Sequence, residues 1–363
     1  MGNVSCDMDS VVGSMLLSYY YHLREHSNFT PIINCSKELF PVKLEICQHL
    51  KSCQLDNLEE FVYDDELKGI EQEQIDEIAL IDHNKLDVSQ TFLEPKIRRI
   101  VDHHIDNNLY LEQLKEKDIK LIGSATTLVI DRFMSDFLLH IDKDLAYFML
   151  APIVLDSFFF DENLKDSKWT QQDLDAYNYL VKVADVDGKA YFDNLYNSIS
   201  SIDLNLQLGV KNLLIKDFKS YFLLNDGQLG IGVSSTFVPM RILISHFGFN
   251  QIAESMESLM ISKNLGFFAV LTNYMDETDN KYKKQLLIFQ NEDICPLSMS
   301  KFNEFVESLE QNQEYNLIDK TEYKMNEQVR GITWEVGNIK QSRKNFEVLI
   351  NQFYKPLLST SKI

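Results

Sequence analysis

Along the first half of the chain, short apolar runs alternate with longer stretches of helical periodicity. Residues 11–21 are apolar and long enough for a helix, 30–34 read as a short strand, and 36–50 read as a helix. Residues 78–81, 97–101 and 119–122 are further short apolar runs, each followed by polar residues or glycine, and 126–139 are helical again. This rhythm predicts βαβ units, hence a parallel sheet whose ligands gather beyond the carboxyl ends of its strands. Residues 161–175 and 185–205 carry no strong strand signal and read as surface helix and linker. Beyond them, 230–233, 267–271 and 285–289 are expected as strands, and 238–258 and 299–310 as helices. The predicted fold is α/β, with a parallel-sheet domain over 1–185, a linker over 186–204 and a smaller α/β domain over 205–363.

Composition supports a folded, metal-tolerant protein and narrows its partners. With 45% hydrophobic residues, only 7 Pro and 13 Gly, the chain can bury a core and does not read as disordered. Five cysteines form an odd set without a CxxC pair, and no signal peptide precedes them, so a reducing, cytoplasmic setting is expected. The longest apolar stretch, 147–160, is interrupted by Pro152 and Asp156, so no membrane span is predicted. The opening Met-Gly-Asn-Val-Ser-Cys approaches a myristoylation signal but has Cys6 where Ser or Thr is required. A net charge of −20 repels nucleic acid and anionic membranes. Clustered carboxylates can still serve an anionic substrate when divalent cations reverse the local field.

Candidate chemistry lies at the ends of the apolar runs. Asn3, Asp7 and Asp9 form one cluster; Asp82-His83-Asn84 a second; Asp102-His103-His104 with Asp106 a third; and Asp156 a fourth. Each is expected to follow a strand, and strand ends of a parallel sheet converge on one crevice. Taken singly, Asp7 and Asp9 suit helix caps. Two adjacent histidines flanked by aspartates are a less ordinary pattern, because imidazole and carboxylate together suit Mn²⁺ and Mg²⁺. Two cations about 4 Å apart lower the pKa of a shared water and neutralise phosphoryl charge.

The Asp-His-His-x-Asp signature, with Asp7-Met-Asp9, Asp82-His83-Asn84 and Asp156, resembles the DHH phosphoesterase superfamily. The Gly2-to-Ser10 start, Gly123-Ser124-Ala-Thr-Thr127 and Ser342-Arg343-Lys344 are similar to the exopolyphosphatase and prune branch, which is related to family II inorganic pyrophosphatase. The match runs in order over nearly the whole chain. The resemblance implies a DHH domain followed by a DHH-associated domain, with the active site in the cleft between them. It implies two divalent cations, Mn²⁺ or Mg²⁺, one on Asp7 and Asp82 and the other on Asp9, Asp82, His103 and Asp156. Asp82 would bridge, Asp102 would orient the histidine pair, and His104 would meet the substrate phosphate. Lys219, Arg343 and Lys344 match phosphate-binding positions. Read without the family, Ser342-Arg343-Lys344 is an ordinary solvated helix surface.

The implied activity is hydrolysis of phosphoanhydrides, foremost release of terminal phosphate from inorganic polyphosphate by a hydroxide bridging two cations. Asn3 stands where the pyrophosphatases carry a metal-binding His, which argues against a dedicated pyrophosphatase. Alternatives are a prune-like short-chain polyphosphatase or nucleotide phosphodiesterase, and a non-catalytic scaffold with an incomplete metal site. The family's first motif follows an apolar strand, whereas here only Met1 precedes Gly2, so Asp7 and Asp9 are expected to be held less firmly. The bulky Ser157-Phe-Phe-Phe160 run beside Asp156 is expected to pack into the core.

Overall fold

A computed structural model describes residues 1–67, 69–222, 230–276, 278–279, 281–294, 299–341, 343, 345–346, 348–350 and 352–353. It separates into two compact units, 1–199 and 200–363.

The first unit opens with α1 (Met8–Glu25), followed by β1 (Ile32–Ile33), α2 (Leu44–Ser52), β2 (Val62–Tyr63) and α3 (Asp64–Leu67). Three strands come next, β3 (Ile78–Ile81), β4 (Ile97–Asp102) and β5 (Glu116–Ile119), then α4 (Ala125–Asp136), α5 (Lys143–Asp156), α6 (Gln171–Ala184) and α7 (Gly188–Ser200). β3, β4 and β5 form a parallel sheet in that order, and β1 pairs with β2 in parallel. All four β3 side chains are buried, as expected of a strand covered on both faces. α1 starts at Asp7, whose Oδ1 accepts the Ser10 N–H at 3.1 Å, an N-cap that satisfies an otherwise orphaned donor. Its Val12, Leu16 and Tyr20 share one core with Val129, Ile130 and Phe133 of α4 and Met149, Leu150 and Ile153 of α5.

Proline inside α5 explains a buried histidine. Pro152 has no N–H to give the Phe148 carbonyl, and His49 Nε2 lies 3.1 Å from that oxygen instead. His49 is 1% exposed, and burial pushes its pKa down to about 4, so the ring is neutral and donates through Nε2. The proline one turn before Asp156 therefore leaves no unsatisfied carbonyl at position 148.

Several local expectations shift. Asp156 ends a helix rather than a strand. The third parallel strand is 116–119 rather than 119–122, because β4 stops at Asp102 opposite Ile119 and because Arg132 of α4 holds Glu116 and Asp118. Leu121 is left exposed. The helix expected over 36–50 is delayed to Leu44 by a 3₁₀ turn over Phe40–Val42 that contains Pro41. Residues 186–204, expected as linker, are helical, and Tyr191, Phe192 and Leu195 of α7 bury in the first core. Phe159 and Phe160 pack as expected, on Tyr177, Phe192 and Trp169, whereas Phe158 is exposed.

The second unit contains α8 (Ile202–Gln207), α9 (Gly209–Lys216), β6 (Phe218–Phe222), β7 (Gly230–Thr236), α10 (Met240–Phe247) and α11 (Phe249–Ser262). It continues with β8 (Leu265–Asp276), β9 (Lys281–Asn291), α12 (Met299–Glu310), β10 (Leu317–Lys324) and β11 (Val329–Val336). Its strands form a mixed sheet of order β10-β11-β9-β8-β7-β6, parallel only between β7 and β8. Apolar clusters cover both faces, one built with α12 and the other with α9, α10 and α11. The single helix expected over 238–258 is two, divided at Gly248 with φ 77°, a conformation that side chains resist and glycine accepts. Three strands escaped the sequence reading; β10 is an almost wholly exposed polar strand with no apolar alternation to betray it.

Candidate metal centre

β3 and β4 are paired through Ile81 and Val101, so the residues that follow them emerge side by side. This register sets Asp82 beside Asp102-His103-His104. Asp82 has φ 62°, a left-handed conformation that costs a non-glycine residue about 1–2 kcal/mol. Surrounding hydrogen bonds hold it there. Its N–H donates to the Val101 carbonyl at 3.0 Å, and Asn3 Nδ2 donates to its own carbonyl at 3.1 Å. Its Oδ2 accepts from Asn3 Nδ2 and Ser10 Oγ, both at 2.7 Å. Oδ1 faces the histidines, 3.0 Å from His103 Nε2 and 3.7 Å from His104 Nδ1.

The opening motif is fixed more firmly than the sequence led us to expect. The Met1 carbonyl accepts the Ile81 N–H at 3.1 Å, which joins residue 1 to β3. Gly2 lies so close to α1 that a Cβ would come within 2.6 Å of Ser10 Cβ, so only glycine fits. Asp9 is 3% exposed and both of its oxygens are engaged. Oδ1 accepts from Ser124 Oγ at 2.6 Å and the Thr126 N–H at 2.9 Å, and Oδ2 from the Ala125 N–H at 2.7 Å. A carboxylate at this helix N-terminus also meets the favourable end of the α4 dipole. The amides of 125 and 126 are therefore given to Asp9 rather than left open for a phosphate. Asp9 Oδ2 remains 3.7 Å from His103 Nε2.

Asp102 is buried and Asp156 is half-buried with its Oδ2 enclosed, and the two have opposite electrostatics. Asp102 is 0% exposed and accepts from Asn84 Nδ2, from the backbone N–H of His103 at 2.8 Å and from His104 Nδ1 at 2.9 Å. Burial alone would raise its pKa, but the hydrogen bonds from His104 and Asn84 outweigh that and lower it. Asp156 has a buried Oδ2 with no hydrogen-bond partner. Burial, reinforced by the charges of Asp9 and Asp7, holds its pKa well above the carboxylate range. Asp82 is raised in the same way, by burial and then by Asp7 and Asp9. For His103, burial disfavours the imidazolium, yet Asp82, Asp9 and Asp156 overcome it and raise the pKa to about 10. Its Nδ1 faces the Ile122 carbonyl at 3.1 Å and so carries hydrogen, leaving Nε2 as the atom directed at the carboxylates.

Asp7, Asp9, Asp82, His103 and Asp156 thus sense one another's charge, and ligand atoms of Asp82, His103 and His104 lie within 4.8 Å of one another. Crowded carboxylates with one buried oxygen unpartnered have the chemistry that a divalent cation would satisfy. The donor set of oxygens and one imidazole suits a hard divalent ion.

In the second unit, Arg343 donates to the Asp217 carbonyl at 2.7 Å and lies 2.8 Å from Asp217 Oδ1. Asp217 immediately precedes β6, on which Lys219 pairs with Val233. Lys344 lies outside the described residues. Three residues have supporting roles that the sequence did not assign. Asn84, which binds Asp102 and the Ile105 carbonyl, was visible as the third residue of Asp-His-Asn. Ser124 had the signature of a helix cap. Asp173 holds the Gly123 N–H at 2.8 Å and Thr127 Oγ1 at 2.7 Å, and its Thr-x-x-Asp spacing from Thr170 is a capping-box pattern.

No family model matches the chain. Mouse "Exopolyphosphatase PRUNE1" is 23% identical over 305 residues, covering 82% of this chain and 62% of the relative; the human protein of that name is 22% identical over 304. A "Probable manganese-dependent inorganic pyrophosphatase" of Bacillus pumilus is 23% identical over 205 residues, 56% of this chain and 63% of the relative. The chain spans about three fifths of the length of these curated relatives. Among solved structures, CDC45 from Entamoeba histolytica aligns over 95% of this chain and 99% of its own, with a TM-score of 0.27 and 9% identity, too distant to bear on the fold. The ordered motifs and the curated relatives agree in what this chain is similar to, the DHH phosphoesterase superfamily. Within it, the likeness is to the exopolyphosphatase and prune branch.

Proposed function

We propose that the chain is a metal-dependent hydrolase of phosphoanhydride bonds, acting as an exopolyphosphatase that removes terminal phosphate from inorganic polyphosphate. The observation that carries this reading is the buried, unpartnered Asp156 Oδ2 within a crowd of carboxylates around His103. The names of the curated relatives support the bond type. Asp7 and Asp82 would hold one divalent cation, and Asp9, Asp82, His103 and Asp156 a second, of Mn²⁺ or Mg²⁺. Bound there, the pair supplies a water of lowered pKa and neutralises charge on phosphoryl oxygens.

The chain's own residues prepare that chemistry. Asn3 and Ser10 occupy Asp82 Oδ2, so Oδ1 is the oxygen left toward His103. The Ile122 carbonyl fixes the His103 tautomer, and Asp102 fixes His104 through Nδ1. His104, about half exposed, is left with Nε2 to meet a substrate phosphate. Lys219, Arg343 and Lys344 are the phosphate-binding groups of the second domain in this reading.

Orthophosphate release from pyrophosphate, tripolyphosphate and long polyphosphate, with Mn²⁺ or Mg²⁺, tests the reading. Release that needs the cation, favours chains longer than pyrophosphate and disappears in Asp82→Ala is expected. Absence of release from all three substrates, or equal release by Asp82→Ala, would overturn it.

A further inference from the structure

Lys284 lies on β9, where the alternate residues Leu286 and Ile288 enter the apolar core built with α12. A lysine at such a position is costly: it is 8% exposed, and burial pushes the pKa of its ammonium down. The ammonium is given to the main chain. Its Nζ donates to the Ile339 carbonyl at 2.8 Å and to the Gln341 carbonyl. Both carbonyls belong to segment 337–341, which follows β11 and leads directly into Ser342-Arg343-Lys344.

Further hydrogen bonds anchor the same segment. The Gly337 N–H donates to the Asn316 carbonyl at 3.0 Å and the Asn338 N–H to the Tyr315 carbonyl at 3.3 Å. Asn338 Nδ2 and Gln341 Nε2 both donate to the Glu314 carbonyl, at 2.7 and 3.2 Å. At Gly337 a Cβ would come within 2.9 Å of the Asn316 carbonyl oxygen, so a side chain there would push the segment away from 314–316. Beyond Arg343, Phe346 is fully buried in the core that holds Leu286 and Ile288. Arg343 is thus held between two fixed points, and its Nη1 meets the Asp217 carbonyl at 2.7 Å and Asp217 Oδ1 at 2.8 Å. Both contacts use the same nitrogen, and a guanidinium has further N–H donors for an anion.

We propose that Lys284 is a positioning residue for substrate: its grip on the Ile339 and Gln341 carbonyls sets the place from which Arg343 reaches a phosphate, and with it the affinity for a phosphate chain. The proposal rests on the reading of Arg343 and Lys344 as phosphate-binding groups given above. An ammonium suits this task because it is a compact group with three donors that two carbonyls can share, and because burial excludes the water that would compete for it. Without it both carbonyls lose that donor inside a core, and segment 337–341 must move to recover hydrogen bonds from water. A shift of about 1 Å in a group that orients substrate can cost about 100-fold.

Calorimetry on the full chain with Mn²⁺ and imidodiphosphate, a phosphoanhydride analogue that resists hydrolysis, measures binding without turnover. Lys284→Met, which keeps the apolar stem and removes the donors, is expected to weaken binding about 10-fold, and Lys284→Arg, which keeps donors, to recover most of the loss. The double variant Arg343→Ala/Lys344→Ala should weaken binding at least as much. Adding Lys284→Met to it should cost nothing more, because the lysine acts through those side chains. Hydrogen exchange read by mass spectrometry should quicken over 337–346 in Lys284→Met while β8 and β9 stay protected, which separates a displaced segment from an unfolded one. Asn338→Ala, at a half-buried position that ties the same segment to Glu314, should weaken binding in the same direction and decides the matter if Lys284→Met does not fold. Wild-type affinity in Lys284→Met beside weakened binding by the double variant would overturn the proposal and leave the reading of Arg343 and Lys344 standing. An equal loss on adding Lys284→Met to either background would overturn it as well. Wild-type affinity in the double variant would overturn that reading, and this proposal with it.

Discussion

Asp102 and Asp156 are two carboxylates of the same unit with opposite solutions to burial. Asp102 accepts hydrogen bonds from Asn84, His103 and His104, and its pKa falls. Asp156 keeps a buried oxygen without a partner, and its pKa rises. In the proposed reading the difference separates roles within one cluster: the satisfied carboxylate would orient its neighbours, and the unsatisfied one would meet a cation. Asp82 stands between them, with Oδ2 spent on Asn3 and Ser10 and Oδ1 turned to His103.

Breaking the unsatisfied side should cost most. Asp82→Ala is expected to lower cation-dependent phosphate release by at least about 10³-fold, read from initial rates at saturating Mn²⁺. Asp102→Asn should cost about 10- to 100-fold in turnover while retaining bound metal, because it disturbs the set of His104 rather than a cation ligand. Elemental analysis beside the kinetics separates the two cases. Adding Mn²⁺ to metal-free protein at a hundred times its dissociation constant should raise apparent stability by about 2.7 kcal/mol in a thermal melt, and Asp156→Asn should lessen that gain.

A control for the comparison comes from His49, a buried titratable group remote in role from the cation. Its folded pKa of about 4 lies below the ordinary value of 6.5, so the unfolded chain binds more protons between those values. Its contribution, about 3 kcal/mol, is present above pH 6.5 and is lost as the pH falls toward 4. Denaturant unfolding across that window should show the slope, and His49→Asn, which keeps a donor for Phe148, should flatten it. The smallest effect is expected for Ser124→Ala, which removes one of three donors to Asp9 and should cost about 1 kcal/mol.

How far the sequence was legible follows from the kind of signal each part carries. β3 and β4 announce themselves as short apolar runs that end in Asp-His-Asn and Asp-His-His, and their pairing follows from the βαβ rhythm. Asp156 could not be placed by the same logic, since its apolar run is a buried helix, and length rather than periodicity distinguishes that from a strand. The holding of Asp9 by α4 was hidden because it joins residues 115 positions apart, which no local pattern records. β5 was displaced by ion pairs to Arg132, a tertiary effect stronger than its strand propensity. In the second unit the buried β8 and β9 were plain, while the polar β10 lay below detection.

The most direct measurement is Mn²⁺ stoichiometry by calorimetry on the wild-type chain and on Asp82→Ala, under the buffer used for phosphate release. Two cations per wild-type chain, with binding at both lost in the variant alongside turnover, is the expected result. Equal Mn²⁺ binding by the two proteins, or none by the wild type, would contradict a cation centre built on Asp82.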